Sequence, residues 1–410
     1  MEEWKTYRIG DICKTNTSQY STKETWDEFL YLDTGNITRN TIDEIARYSS
    51  NAELPSRARR KVISDDIIFS TVRPNQCHFG ILSNPPANLL VSTGFTVITA
   101  NKEIVDPYYL YYYLTQDSIV DYLHSIGEQA VSAYPSIKAQ DIEDLEIELP
   151  DLSTQNNIAK TLRALDEKIQ LNRQINDNLE LQAQTLYKSW FVDFEPFQNG
   201  KFIESELGLI PEGWKIGKIN DVINLLSGFP FKSSDFQENG DYQLITIKGV
   251  QDGYLDVTSA DRLSSLPSKM PQYCILNIGD ILISLTGNVG RICIVDRNNL
   301  LLNQRVAILS PKNIRDSFYA YTMFRSESMK NELIHLARGT AQLNLSPIET
   351  GEKLTVIPPD NILEAFAKVG KGTFNQYISL KMENIRLMEM RDSLLPKLMS
   401  GELKINEIDC

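Results

Sequence analysis

TQNNIAKTLRALDEKIQLNRQINDNLELQAQTLYKSW, residues 154–190, contains neither proline nor glycine and is rich in Leu, Gln, Glu, Lys and Asn. Its apolar residues fall at Ile158, Leu162, Leu165 and Ile169, and again at Leu179, Ala183 and Leu186. These steps of three and four predict one long helix with a narrow coiled-coil seam. At about 1.5 Å per residue such a helix extends roughly 50 Å, too long for a core helix and suited to a spacer with a partner. Asn172 and Asn176 interrupt the seam, and buried asparagine sets register at some cost in stability. A second helical stretch, residues 363–398, supplies Phe366, Phe374, Ile378, Ile385, Met388 and Leu395 as candidate seam residues for that partner.

Outward from the helices, the sequence repeats itself. Trp4 and the following IGD at 9–11 correspond to Trp214 and IND at 219–221. FLYLDTGNI (29–37) corresponds to YQLITIKGV (242–250), SDDIIFSTVRP (64–74) to IGDILISLTGN (278–288), LLVSTGFTVI (89–98) to LLLNQRVAIL (300–309), and DPYYLYYYL (106–114) to DSFYAYTMF (316–324). Each copy closes with a glycine-containing loop, a short apolar strand, a proline and a long helix. Short alternating apolar runs bounded by Gly, Pro, Asn and Asp read as strands, with one helix around 106–123. The fold class is therefore α+β: two similar strand-rich globular units separated by two long helices that pair as an antiparallel coiled coil. The boundaries are 1–150 for the first unit, 151–190 for its helix, 191–212 for a connector read as a packed loop, 213–358 for the second unit, 359–400 for the second helix and 401–410 for a tail. Copies that keep a scaffold and vary their loops read two different ligands.

Composition narrows the classes. The chain has 410 residues, 42% hydrophobic content and a formal charge of −13, so two or three domains are expected and a broadly basic binder is not. Five scattered cysteines without a CxxC pair, and three distant histidines, fit a reducing cytoplasm better than a disulfide framework or a zinc site. No signal region opens the sequence, and no run of about 18 apolar residues could span a membrane. A soluble, cytoplasmic protein is expected.

Taken together, these features resemble the specificity subunit of type I restriction–modification systems. The resemblance covers nearly the whole chain. It is carried by KIQLNRQINDNLELQAQTLYKSWFVDFEP (168–196), SELGLIPEGW (205–214), GTAQLNLS (339–346) and MRDSLLPKLMSGEL (390–403). The first-copy counterpart of the third motif, GEQAVSAYPS (127–136), departs from the pattern. The resemblance implies that each unit is a target recognition domain reading one half of a split double-stranded DNA site. It also implies that the helices fix the separation of the halves and that two methyltransferase subunits, which bind S-adenosylmethionine, dock along them. A translocase–nuclease subunit is a further partner it allows, and this chain itself would have no catalytic role and no cofactor. The rod length alone limits the half-site separation to roughly 15 base pairs.

Candidate DNA contacts follow from side-chain chemistry. Arg57, Arg59, Arg60 and Lys61, read as lying in a polar loop, suit phosphate clamping, with one arginine available for guanine. Arg73 is a similar candidate. In the second copy Lys232 lies in SGFPFKSSDF (227–236), and Asn288 and Arg291 lie in TGNVGR (286–291), whose glycines let backbone approach a ligand. Asn303, Gln304 and Arg305 form a set suited to base edges, Asn or Gln for adenine and Arg for guanine.

Other motifs have plainer readings. NPPA (84–87) lacks the aromatic of an adenine-methyltransferase loop, no cofactor loop precedes it, and it reads as a turn. VGKGT (369–373) lacks the upstream glycine of a phosphate loop and reads as the start or irregular first turn of the second helix. The tyrosines at 108, 109 and 111–113 read as core rather than as a stacking platform, and WFVDF (190–194) as packing within the chain. The rival to DNA reading is a two-headed scaffold that binds proteins only. A self-contained methyltransferase is the third reading, and it lacks both cofactor loop and catalytic tetrapeptide.

Overall fold

The computed structural model describes residues 4–129, 134–339 and 342–404. The chain divides into two compact units, Met1–Lys168 with Leu387–Cys410, and Ile169–Arg386. Each unit therefore contains part of the central helix, Leu152–Phe191, and part of the terminal helix, Asp360–Met399.

The first unit carries four sheets, the smallest a hairpin of Ile37–Thr38 with Thr41–Ile42. One has the order Cys13–Thr15, Phe95–Ala100, Asp66–Ser70, Phe79–Leu82, with antiparallel neighbours throughout. Another has the order Ala46–Tyr48, Phe29–Leu32, Leu89–Ser92, Ala58–Lys61, and its central pair is parallel. The third pairs Lys5–Arg8 with Glu146–Leu149. The second unit repeats this plan. Ile223–Ser227, Val306–Pro311, Ile281–Ser284 and Ile292–Ile294 form the antiparallel sheet. Arg262–Leu263, Tyr242–Ile245, Leu300–Leu302 and Ile275–Leu276 form the sheet with a parallel centre. Lys215–Lys218 pairs with Leu354–Ile357. A shared strand order with the same parallel pair in the same place is the duplication seen in the sequence.

The central strands are buried on both faces, not on one as alternating runs suggest. Successive side chains in a strand point to opposite faces. Ile67 and Phe69 face the helices and Ile68 faces the outer sheet; Ile281 and Ile283 do the same, with Leu282 opposite. A strand covered twice reads as a continuous apolar run. The single helix expected near 106–123 is two, Pro107–Leu114 and Asp117–Gln129. The connector is also more ordered than a loop: Phe202–Ser205 and Gly208–Pro211 form a hairpin.

Helix pairing is antiparallel within each unit. In the first, Asp166 accepts from Arg391 at 2.7 Å, while Ile158 and Leu162 share a core with Leu398 and Met399. In the second, Asn172 Nδ2 donates to Glu383 at 2.8 Å and to Asn384 Oδ1 at 2.9 Å, and further along Phe191 packs edge-on against Phe366. Asn172 and Asn176 are both buried in the seam, and Asn172 faces a third buried asparagine, Asn384. The VGKGT glycines lie inside the terminal helix, ten and twelve residues past its first residue, Asp360, so they do not mark its start. Gly370 is there because the Phe318 ring lies against it: an added Cβ would fall 1.9 Å from Phe318 Cε1.

The tyrosine run is core. Tyr109, Tyr111 and Tyr112 are buried, as are Phe318, Tyr319 and Tyr321 in the second unit. Each set also reaches the central helix: Tyr112 donates to Asp166 at 2.7 Å and Tyr321 to Glu180 at 2.5 Å. Trp190 and Phe191 pack on Phe366, and Phe194 on Trp214, so WFVDF seals the second unit from within.

Candidate nucleic-acid interface

In the first unit, backbone hydrogen bonds bring four separated stretches to one rim. Thr93 N donates to Arg57 O at 2.9 Å, Thr71 N to Gly94 O at 2.8 Å, and Arg73 N to Pro135 O at 2.8 Å. Arg57 and Arg73 are exposed there. Arg73 adopts φ 48°, in the left-handed region, and its guanidinium lies 4.9 Å from the Tyr134 ring centroid, a cation–π contact. Ala130, Val131, Ser132 and Ala133, in the departing motif GEQAVSAYPS, lie outside the described residues.

The four-cation cluster is not a loop of free charges. Ala58–Lys61 is a strand, and strand geometry sends alternate side chains in opposite directions. Lys61 is ion-paired to Glu24 and sits 5.4 Å from the Trp26 ring centroid, and the hydrogen bond from Lys61 lowers the Glu24 carboxyl below its ordinary value. Arg60 donates to the Thr93 carbonyl at 3.3 Å. Its Nε and Nη1 are buried without partners, and burial lowers its pKa. Arg59 is partly buried. The exposed cation of this group is Arg57.

In the second unit the corresponding rim gathers all three candidate loops. Leu285 N donates to Arg305 O at 3.0 Å, and Gln304 N to Phe229 O at 3.1 Å, which draws the loop carrying Lys232 alongside 303–305. Lys232, Gln304, Arg305 and Asn288 are exposed. Asn303 is partly spent on local structure, since its Oδ1 accepts Arg305 N at 3.3 Å. Gly287 N donates to Leu343 O at 2.9 Å and Thr286 Oγ1 to Asn344 Oδ1 at 3.0 Å, joining TGNVGR to GTAQLNLS. Thr340 and Ala341 of that motif lie outside the described residues. Gly287 and Gly290 have φ 75° and 76°, where glycine alone is at ease.

Behind this rim lies a residue that the sequence did not point to. Gln251 Oε1 accepts Arg291 Nη1 at 2.5 Å, and together with Ile247, Lys248, Thr286, Gly287 and Asn288 these two line a cup of about 340 Å³. Gln251 sits in a turn between Gly249 and Gly253, forty residues from Arg291, and only the tertiary fold reveals the pairing. NPPA is an exposed turn, with Asn84 at φ 48° and Leu89 N donating to Pro86 O at 3.0 Å. His78, beside Cys77, has its Nδ1 2.7 Å from the Ile37 carbonyl oxygen. Among the described residues no helix is long and apolar enough to cross a membrane.

Two copies of one fold, each presenting cationic side chains on loops at one rim, with amides beside them in the second, define a duplicated recognition protein. The family model described as "Type I restriction modification DNA specificity domain" matches residues 1–181 and 211–360, and the chain belongs to that family. The HindI specificity subunit of Haemophilus influenzae is 27% identical over 463 residues, covering 98% of this chain and all of that one. The MjaIX specificity subunit of Methanocaldococcus jannaschii is 27% identical over 424 residues, covering 98% and 93%. The crystal structure of a type I restriction–modification S subunit from M. genitalium superposes over 97% of this chain and 96% of its own, with TM-score 0.53 and 16% identity, and shares the fold.

Proposed function

We infer that this chain is the DNA-reading subunit of a type I restriction–modification complex, each unit reading one half of a bipartite double-stranded site. The observation that carries the reading is the duplication itself: the specificity-domain family covers both copies, and their loops gather at equivalent rims while the buried scaffold is retained. Phosphates would be gripped by Arg57, Arg73 and Lys232, and base edges read by Asn288, Arg291, Gln304 and Arg305. Lys61 and Arg60 are better suited to holding the first unit's strand than to touching DNA.

Two methyltransferase subunits, bringing S-adenosylmethionine and the chemistry, would dock along the helices, and a translocase–nuclease subunit would join that complex. This chain contributes no catalytic group, and the site of action is the cytoplasm. The formal charge of −13 is tolerable because partners supply part of the cationic surface. The purified chain alone is expected to bind DNA weakly. The test is a gel shift of the chain co-purified with its methyltransferase, on random duplexes and on duplexes selected for retention. Preferential retention of the selected pool supports DNA reading; equal retention, or none, supports a scaffold that binds only proteins.

A further inference from the structure

The cup around Arg291 has a geometry that its neighbours on the rim lack. Arg305 and Gln304 are exposed side chains on a turn. Arg291 is half-buried and held at both ends. Its backbone N donates to Ser284 Oγ at 3.0 Å, and Ser284 Oγ in turn donates to the Asn288 carbonyl at 2.5 Å. At the far end Gln251 Oε1 accepts one guanidinium N–H. The Gln251 amide is itself committed, because its Nε2 donates to the Lys248 carbonyl at 2.7 Å. That second bond fixes which end of the amide faces Arg291.

The loop that carries Gln251 is anchored as well. Asp252 pairs with Arg325 and, at 2.9 Å, with Lys330. The Gly253 carbonyl accepts from Tyr377 at 3.2 Å and from Lys381 at 2.7 Å, both on the terminal helix. Gly253 N donates to Ile292 O at 2.8 Å, next to Arg291. A long cationic side chain normally loses considerable rotamer entropy on binding, and restraining it beforehand lowers that cost. One guanidinium nitrogen is tied back, and the others can present a planar fork to a pair of acceptors. The O6 and N7 of guanine in the major groove are such a pair.

We propose that Arg291 reads a guanine in the half-site of the second unit and that Gln251 is the positioning residue that aims it. This rests on the DNA-reading assignment above, and the experiment separates the two. The full chain, wild type or variant, is co-expressed with its methyltransferase, and methylated positions are mapped across the host genome. Wild type should give a bipartite motif. Gln251→Leu removes the acceptor, and Arg291→Lys keeps the charge but loses the fork. Both should relax one G·C position of one half-site by about tenfold or more, leaving the other half-site intact. Gln251→Glu keeps an acceptor oxygen for Arg291 but gives up the Nε2 bond to the Lys248 carbonyl, so it should retain part of the preference that Gln251→Leu loses. Because methylation of the intact half-site motif reports folded complex, a misfolded variant is recognised by its loss of all methylation, and the proposal then stands or falls on Arg291→Lys and Gln251→Glu. Unchanged preference at every position, or a uniform loss with all preferences kept (the mark of a phosphate contact), overturns the assignment of Arg291 and Gln251. A wild-type complex with no bipartite motif overturns the DNA-reading assignment itself.

Discussion

Gly370 and Gly372 lie two residues apart on the terminal helix and should answer the same substitution with opposite signs. Helix propensity alone favours alanine over glycine by up to about 1 kcal/mol. At Gly372 nothing lies within 4 Å of an added Cβ, so Gly372→Ala should stabilise by about that amount. At Gly370 the Phe318 ring, held 5.0 Å from Phe366 and 5.8 Å from Phe374, cannot withdraw, and Gly370→Ala should cost about 1–3 kcal/mol. Urea midpoints of the two variants check both. A pH effect belongs to Asp66, 3% exposed, whose carboxylate accepts Ile63 N at 2.8 Å and the Thr99 hydroxyl at 2.6 Å. Burial raises its pKa above the ordinary 3.8 despite those bonds. A raised carboxyl contributes stability that is fully present below 3.8 and is lost as pH rises through the folded value. Asp66→Asn should therefore gain on wild type as pH rises from acid to neutral, measured as the difference in urea midpoint at each pH. The repeat places Asp280 at the same point, with Asn277 N donating to it at 2.7 Å and its pKa raised by the same burial. For Arg57, an alanine variant should weaken DNA binding by the complex about equally on all sequences and lower the slope of log K against log salt by about one. Exposure was legible where a local turn decides it, as with Arg57, Arg305 and Asn288. Lys61 and Arg60 were not legible, because the strand that half-buries them and the Glu24 that neutralises Lys61 come from elsewhere in the chain.

The coiled-coil seam shows how far a pattern can be read without the partner in view. Ile158, Leu162, Ile169, Leu179 and Ala183 are buried as their spacing indicates, and Asn172 and Asn176 lie in the same row. Asn384 was not among the expected seam residues, since a polar residue in an apolar stripe looks like an interruption until its mate is known. Asn172→Leu leaves Asn384 Oδ1 without its donor inside the seam, and should cost about 1–3 kcal/mol. Replacing both asparagines with leucine should recover most of that loss, because neither polar group is then stranded. Urea unfolding of the single and double variants measures the coupling, and an additive double variant would mean that the pair does not act together. The strands were harder to read than the helices. Asp66–Ser70 and Ile281–Ser284 are covered on both sides, so their sequences lack the alternation that reveals which side faces a core.

Two units with one topology explain why the sequence repeats in its buried runs and diverges in its loops. Val97 O accepts from Asn16 N at 2.8 Å, and Val306 O accepts from Gly228 N at 3.0 Å; Thr71 N donates to Gly94 O, and Leu285 N donates to Arg305 O. Residues 16–94 and 228–305 each begin just after an edge strand, Cys13–Thr15 or Ile223–Ser227, and end at equivalent bonds, and each carries much of its unit's rim and of the outer sheet's apolar packing. The architecture was legible at this scale because order and spacing of motifs survive divergence, whereas the bases that are read depend on loop conformation and DNA shape. The central claim is that each unit consults its own half of the target. The direct measurement is to replace 228–305 with a second copy of 16–94, co-express the chimaera with the methyltransferase, and map methylated sites. The account predicts a motif in which the first unit's half-site occurs twice. Retention of the original second half-site, or a change in the half-site of the unaltered first unit, would contradict it.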